Sequence, residues 1–246
     1  MSDFKGRTAA GEPGRITRQI GRKVWLWFNL VLASTAVFWV TDWDVRLERL
    51  FYHHAHGDWL LDHYPLWKSL LYDSVPVITA TVVFGTLTLI LAGFRFVRVR
   101  RWRVPLLYLL LVFVLGPGLL VNATFKDHWG RPRPIQLQVF GGQAAYVPPL
   151  AYVPHSPGRS FPSGHASVGF AFVALWFIWR RRLPQWAGRA LMAALLLGSL
   201  IGLTRMAAGG HFLSDVIWAG WMCLFAAWLL SPMLDRGTGD SAGNPR

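Results

Sequence analysis

Six segments of the chain are continuously apolar over about 20 residues, the length that crosses the hydrocarbon core of a bilayer. They run approximately over residues 24–40, 75–96, 104–121, 164–179, 187–203 and 212–230. The apolar residues follow one another without strict alternation, which favours helices over the strands of a membrane barrel. The sequence therefore predicts an all-α, polytopic membrane protein with six transmembrane helices.

The ends of the chain differ in character from this apolar middle. Residues 1–23 are polar and basic, and residues 231–246 are polar and rich in glycine. Segments of this kind bury too little apolar surface to fold alone. We therefore expect a basic N-terminal tail, a six-helix membrane domain over residues 24–230 and a flexible C-terminal tail. The first apolar segment lacks a small-residue cleavage site, so we interpret it as a retained span.

Composition agrees with a membrane location. Hydrophobic residues make up 53% of the 246 residues and charged residues only 15%, while the formal net charge is +13. Beside such long apolar runs, the basic balance favours anionic lipid over nucleic acid as a partner. The single cysteine, Cys223, excludes a disulfide or a cysteine metal site within one chain.

The distribution of lysine and arginine predicts the orientation. Basic clusters precede the first apolar segment and separate the second from the third and the fourth from the fifth, whereas the loop after the first segment is acidic. Positive residues accumulate on the cytoplasmic side. The pattern predicts cytoplasmic termini in a cell inner membrane, with loops one, three and five in the periplasm of a Gram-negative host.

Loop one also contains a histidine-rich stretch, His53, His54 and His56. No matching acidic or cysteine framework is evident beside it, and metal sites in proteins need such ligand sets. We interpret these residues as solvated histidines and predict no metal site.

Loop three contains cations that the topology does not explain. Lys126, Arg131, Arg133 and Arg159 lie on the predicted outer side, where anion binding is a natural reason for positive charge. If the third helix continues through this segment, Lys126 and Arg133 lie near one face. A lysine and an arginine together suit a tetrahedral phosphoryl group.

A second motif, Pro162-Ser163-Gly164-His165, stands where loop three enters the fourth helix. Ser163 is a plausible N-cap, Gly164 lets an anion approach the backbone, and free N–H groups at a helix start bind phosphate. His165 in the first turn is placed to protonate a leaving oxygen.

A third motif links the fifth and sixth helices. Arg205 ends the fifth helix, and His211 and Asp215 are four residues apart at the start of the sixth, so they are predicted to share a face. A carboxylate at one imidazole nitrogen fixes the tautomer and leaves the other nitrogen free to attack.

Together the three motifs resemble the type 2 phosphatidic acid phosphatase family, also called PAP2 or lipid phosphate phosphatases. The family signature is Lys, six residues, Arg-Pro; then Pro-Ser-Gly-His; then Ser-Arg, five residues, His, three residues, Asp. Its positions are matched by Lys126, Arg133, Pro134, Pro162, Ser163, Gly164, His165, Arg205, His211 and Asp215. Thr204 stands where the family often has serine and keeps the hydroxyl.

The resemblance implies a role for each matching residue. His211 would attack phosphorus to form a phosphohistidine, Asp215 would orient it, and His165 would protonate the leaving alkoxide and then activate water. The phosphoryl oxygens would be held by Lys126, Arg133, Ser163, Gly164 and Arg205. Arg131 lies outside the signature, and its role stays open.

The implied activity is that of a lipid phosphatase acting at the periplasmic face without a cofactor or metal. Candidate substrates are lipid A 1-phosphate, undecaprenyl pyrophosphate, phosphatidylglycerol phosphate and phosphatidate. The alternatives are a phosphotransferase of the same family, which shares the first half-reaction, and a non-catalytic membrane transport protein. The expected partners are a lipid phosphate and membrane lipids, with no nucleic acid. The pattern indicates no oligomeric state.

Overall fold

The computed structural model describes the backbone of residues 13–236 and the side chains of residues 25–235. The α-helices are α1 (Pro13–Val40), α2 (Trp43–Glu48), α3 (Pro65–Lys68), α4 (Ser74–Arg95), α5 (Val97–Arg100), α6 (Arg103–Phe113), α7 (Gly164–Ala171), α8 (Ala174–Trp179), α9 (Pro184–Ala207), α10 (Leu213–Leu230) and α11 (Pro232–Arg236). Wider π-helical turns cover Ser69–Asp73 and Val114–Lys126, and 3₁₀ turns cover Leu60–His63, Pro134–Gln136 and Gln138–Phe140. Strands β1 (Tyr52–His53) and β2 (Asp58–Trp59) form an antiparallel pair.

Each of the six predicted spans coincides with a helical stretch. Within residues 13–236, four stretches are long and apolar enough to cross a membrane, namely Pro65–Arg95, Arg103–Lys126, Pro184–Ala207 and Leu213–Asp235. Two shorter apolar helices are Trp25–Val40 and Gly164–Trp179. The prediction of an all-α, polytopic membrane protein is confirmed.

The boundaries of the predicted tails remain a prediction. Helix α1 begins at Pro13, so residues 13–23 of the predicted N-terminal tail are helical. Residues 1–12 and 237–246 lie outside the described residues. The chain divides into two units at Thr41, and the features below all belong to the second, which begins at Asp42.

The third span changes its winding at a proline. Pro117 has no N–H to donate to the preceding turn, and the backbone widens into a π-helix from Val114 to Lys126. The Asn122 side chain donates to the Pro117 carbonyl oxygen at 2.7 Å. The helix ends at Lys126, so this predicted phosphate-binding residue lies at the end of the third span.

Close helix packing fixes the fourth, fifth and sixth spans. Helix α7 packs against α9, where a β-carbon on Gly169 would lie only 2.6 Å from the Gly198 Cα atom. Glycines at such crossings allow two backbones to approach closely within a membrane. Helix α10 packs on the same α7, so the start of α7, the end of α9 and the start of α10 meet at one end of the spans.

Loops one and three meet in an aromatic cluster beside that end. Trp59 of loop one and Phe140 of loop three are buried together with Phe212, the residue immediately before α10. The ring centroids of Trp59 and Phe140 lie 5.2 Å apart. The two loops therefore cover the start of α10.

The expectation that the histidine-rich stretch has no acidic partner is wrong. The β1–β2 hairpin places Asp58 opposite His53, and their side chains contact at 3.2 Å. His54 stacks on Phe140 instead. Asp58 lies outside the histidine-rich stretch at residues 52–56, and only the fold of the hairpin brings it to His53.

Candidate active site

His211 lies in the turn between α9 and α10, and only 1% of it is exposed. Its Nδ1 atom lies 2.5 Å from the Ser160 carbonyl oxygen. A carbonyl oxygen can only accept a hydrogen bond, so Nδ1 carries the ring proton. The Nε2 atom of neutral His211 therefore has a free lone pair, as a nucleophile needs.

Asp215 supports His211 less directly than the sequence predicts. Its Oδ2 atom lies 3.7 Å from His211 Nδ1, beyond hydrogen-bond length. His211 lies before the first residue of α10, so it does not share a helix face with Asp215. The Asp215 carboxylate instead accepts hydrogen bonds from Phe212 N at 2.8 Å and from Ser160 Oγ at 2.5 Å. Ser160 thus connects both residues, binding His211 through its carbonyl oxygen and Asp215 through its hydroxyl.

Arg131, whose role the sequence left open, is completely buried and contacts Asp215. Its Nη1 atom donates to Asp215 and to Ser214 Oγ, and its Nη2 atom donates to Asp44 Oδ2 at 2.8 Å. Its Nε atom donates to the Val147 carbonyl oxygen at 2.8 Å. Burial lowers the pKa of Arg131, but the carboxylates outweigh this effect and raise it overall. Arg131 therefore positions Asp215 and does not face an anion.

Asp44 is the second carboxylate on this guanidinium, and the sequence motifs do not include it. It stands on α2 and accepts from Ser214 N at 3.0 Å, from Ser214 Oγ at 2.5 Å and from the Tyr146 hydroxyl at 3.0 Å. Asp44 therefore ties loop one to the first turn of α10.

The buried cluster behind His211 has an excess of negative charge. Asp44 and Asp215 face one guanidinium, that of Arg131. A neighbouring carboxyl, Glu48, is also fully buried, and burial together with both aspartates raises its pKa well above the usual value, which favours its neutral form. The surplus negative charge stabilises positive charge on the His211 ring.

The three predicted phosphate-binding cations lie close enough together for their charges to interact. The positive charge of Lys126 interacts with those of Arg133 and Arg205. The prediction that Lys126 and Arg133 share a helix face is wrong, because the helix ends at Lys126 and Arg133 is extended. The loop brings Arg133 back, since Ile135 N donates to Gly209 O at 3.0 Å.

Burial and these cations determine the protonation state of His211. Burial lowers its pKa to about 4, with further lowering by Arg205 and Lys126, although Asp215 acts in the opposite direction. The imidazole is consequently neutral near pH 7, the form that can attack.

Three buried atoms on the predicted phosphate-binding residues have no hydrogen-bond partner within the described part of the chain. These atoms are Ser163 Oγ, Arg133 Nε and Arg205 Nε. Ser163 occupies the predicted N-cap position of α7, but its hydroxyl does not cap the helix. Buried polar groups are normally paired, so unpaired donors on three predicted phosphate-binding residues favour a site for an acceptor such as an anion.

The start of α7 adds further donors. Gly164 and His165 are its first residues, and N–H groups in this first turn have no partner inside the helix. Gly164 lies so close to Lys126 that a β-carbon there would be 2.9 Å from Lys126 Nζ. The missing side chain at Gly164 thus leaves room for the ammonium group over the helix start.

Tyr72 is a site residue that the sequence motifs do not reveal. Its ring stacks on His165 with centroids 4.7 Å apart and an interplanar angle of 12°. The Arg205 guanidinium carbon lies 4.1 Å from the centroid of the Tyr72 ring. Tyr72 therefore fixes the orientation of a predicted acid and a predicted phosphate ligand. It comes from the π-helical turn before α4, and no pattern in the sequence links it to the motifs.

An apolar cavity of about 740 Å³ leads to these residues. It lies between α4, the span 103–126 and α7, and its walls include Val83, Phe84 and Phe113. Lys126 and His165 line the cavity as well. The cavity can therefore accept an apolar chain together with an anionic group.

A family model described as the PAP2 superfamily matches residues 105–238, more than half of the chain. The chain belongs to the PAP2 superfamily. The resemblance inferred from the three motifs is thereby confirmed.

Three curated relatives of this PAP2 chain have names that mention lipid A. A lipid A 4'-phosphatase of Francisella tularensis subsp. novicida is 36% identical over 140 residues, covering 55% of the chain and 61% of the relative. A lipid A 4'-phosphatase of Rhizobium leguminosarum is 38% identical over 120 residues, covering 47% and 50%. A lipid A 1-phosphatase of Rhizobium etli is 30% identical over 146 residues, covering 55% and 58%.

The chain thus spans only about half to three fifths of the length of these relatives. No solved structure matches this PAP2 chain significantly.

The Arg131 cluster predicts a large stability effect. Arg131→Met leaves Asp44 and Asp215 buried without their counter-charge, and we expect a loss of about 3–5 kcal/mol of unfolding free energy. Thermal unfolding can be followed with a thiol-reactive dye, because the only cysteine, Cys223, is buried until the protein unfolds. The matched control is Arg159→Met, which breaks an exposed pair with Asp127 and should cost about 1 kcal/mol or less. Equal effects of the two substitutions would contradict the assignment.

The Gly164 contact predicts an activity effect without a stability effect. Gly164→Ala pushes aside the ends of the Asn122 and Lys126 side chains, and misplacing a binding group by about 1 Å can reduce turnover by about 100-fold. We expect phosphoester hydrolysis by this PAP2 variant to fall by about 10- to 100-fold with an unchanged melting temperature. Gly188→Ala is the control, since a β-carbon there meets nothing within 4 Å. Normal activity of Gly164→Ala would contradict the assignment of this contact to the phosphate site.

Proposed function

We propose that the protein is a membrane lipid phosphatase that hydrolyses a phosphomonoester or pyrophosphate on a lipid through a phosphohistidine intermediate. The observation that carries the proposal is the set of unpartnered donors on Ser163, Arg133 and Arg205. They belong to the same site as a buried neutral histidine, and an apolar cavity reaches that site.

In the proposed first step, Nε2 of His211 attacks phosphorus and the bond to the lipid oxygen breaks. His165 gives its proton to the departing alkoxide. The hydrogen bond from Nδ1 to Ser160 keeps the attacking nitrogen unprotonated. The negative cluster of Asp44, Arg131 and Asp215 stabilises the positive ring that results.

In the proposed second step, His165 takes a proton from water, whose oxygen attacks the phosphohistidine. Phosphate leaves, and His211 returns to its neutral form. Three cations, Lys126, Arg133 and Arg205, stabilise the charge on the phosphoryl oxygens throughout, so the proposed reaction needs no metal ion.

A lipid A phosphate is the first substrate to test. Relatives of this chain bear the names lipid A 4'-phosphatase and lipid A 1-phosphatase, so both positions are candidates. The cavity supports a lipid rather than a soluble ester, because an acyl chain fills an apolar space favourably.

We further propose that the site faces the periplasm from the inner membrane, with both termini in the cytoplasm. The basic stretches at residues 98–103 and 180–182 connect the spans at the ends opposite the site residues. Positive residues of this kind accumulate on the cytoplasmic side.

The deciding experiment measures phosphate release by purified protein in detergent with EDTA present. The panel comprises lipid A 1- and 4'-phosphates, undecaprenyl pyrophosphate, phosphatidylglycerol phosphate and phosphatidate. We expect release that survives EDTA and falls by about 10³-fold or more in His211→Ala. The matched control is His128→Ala, an exposed histidine just beyond Lys126, which should retain full activity.

Each alternative result has a distinct meaning. Release that is unaffected by His211→Ala would show that the site is assigned wrongly. Phosphate that appears on an added lipid acceptor instead of in solution would identify a phosphotransferase.

The low pKa of His211 predicts the pH profile. A group with a pKa of about 4 is neutral above that value, so the acidic limb of kcat/KM should lie near pH 4, where the nucleophile becomes protonated. The profile should be measured with two esters whose phosphate pKa values differ. A limb caused by an enzyme group lies at the same pH for both esters, whereas a limb caused by the substrate moves with its pKa. A limb near the ordinary histidine pKa of about 6.5 for both esters would contradict the buried nucleophile.

A further inference from the structure

Three potential metal ligands converge on the hairpin of loop one. His53, Asp58 and His63 each offer a ligand atom, and these atoms all lie within 4.8 Å of one another. Asp58 contacts both histidines, with Oδ1 3.2 Å from His53 Nδ1 and Oδ2 2.9 Å from His63 Nε2. The carboxylate therefore lies between two imidazoles, each of which directs one nitrogen toward it.

The backbone that carries these side chains is well fixed. His53 and Asp58 are paired residues of the antiparallel strands, and His63 ends the 3₁₀ turn that follows β2 directly. Trp59 and Leu61 lie between Asp58 and His63 and anchor the segment, since they are only 3% and 5% exposed. A ligand set on an anchored backbone loses little conformational freedom when an ion binds.

Two imidazole nitrogens and one carboxylate oxygen form a ligand set typical of zinc. Imidazole suits zinc and other late transition metals, and three protein ligands leave a fourth position for water. The side chains of His53, Asp58 and His63 are 43%, 30% and 51% exposed, so an ion can reach them from solvent. Magnesium and calcium prefer sites made of oxygen ligands alone, which this cluster does not provide.

We propose that His53, Asp58 and His63 bind one zinc ion on the outer face of the hairpin. The ion replaces the two histidine–aspartate contacts with three metal–ligand bonds. It takes no part in the proposed hydrolysis, whose charge comes from Lys126, Arg133 and Arg205.

The location of the cluster gives the ion a structural role. Trp59 follows Asp58 and packs on the turn before His211, where a β-carbon on Gly209 would lie 2.3 Å from the Trp59 ring. A bound ion joins β1, β2 and the 3₁₀ turn around this tryptophan. Zinc binding therefore stabilises the cover over the start of α10.

The test is calorimetric titration of the full-length protein with zinc, after treatment with chelator and without a polyhistidine tag. We expect saturable binding of one zinc per chain, reduced about tenfold or more in His63→Ala and in Asp58→Asn. His56→Ala removes an exposed histidine of the same hairpin turn that is outside the cluster, and its affinity should match the wild type.

A second readout guards against misfolded variants. Zinc at about 100 times its dissociation constant should raise the melting temperature of the wild type by roughly 5 °C or more, with no rise in Asp58→Asn, which keeps the size of the side chain. The proposal is overturned if the wild type binds no zinc, or if both ligand variants bind it as tightly as the wild type does. Neither readout depends on phosphatase activity, so failure here leaves the proposed function intact.

Discussion

A single buried guanidinium, that of Arg131, holds together parts of the chain that are far apart in sequence. It joins Asp44 on α2 to Asp215 on α10 across 87 and 84 residues. An arginine is almost never completely buried unless it is paired, and its rigid fork of donors suits two carboxylates at once. The position of Asp215, and through Ser160 that of His211, depends on this one side chain.

The cluster also separates charge across His211. Asp215 favours positive charge on the imidazole and Lys126 and Arg205 oppose it, while burial excludes water from the ring itself. Fixed charges in a dry environment act more strongly than in solvent, and they need no rearrangement when charge develops. These charges are already in place in the folded protein before a substrate binds.

Much of the fold and part of the site could be predicted from the sequence, for physical reasons. Helices that cross a bilayer need long apolar runs, and the six runs found each coincide with a helical stretch. Lys126, Arg133 and Arg205 stood out because they break the charge asymmetry of the loops. Asp44 and Tyr72 carry no such signal, since an aspartate in an acidic loop looks ordinary until its distant partner is known. The acceptor for His211 is a backbone carbonyl, which every residue has, so no residue type could have revealed it.

The cavity beside Lys126 has a kinetic consequence for any substrate that enters with its tail. Its walls include Phe84 and Leu119, which are 67% and 52% exposed on the apolar surface of their helices, so the cavity borders the lipid phase. A molecule that arrives this way moves in two dimensions within the bilayer. The saturation of the protein then follows the mole fraction of substrate in the surface rather than its bulk concentration. In the proposed reaction, diluting the membrane with neutral lipid slows hydrolysis, while diluting the suspension with buffer leaves the turnover of each molecule unchanged.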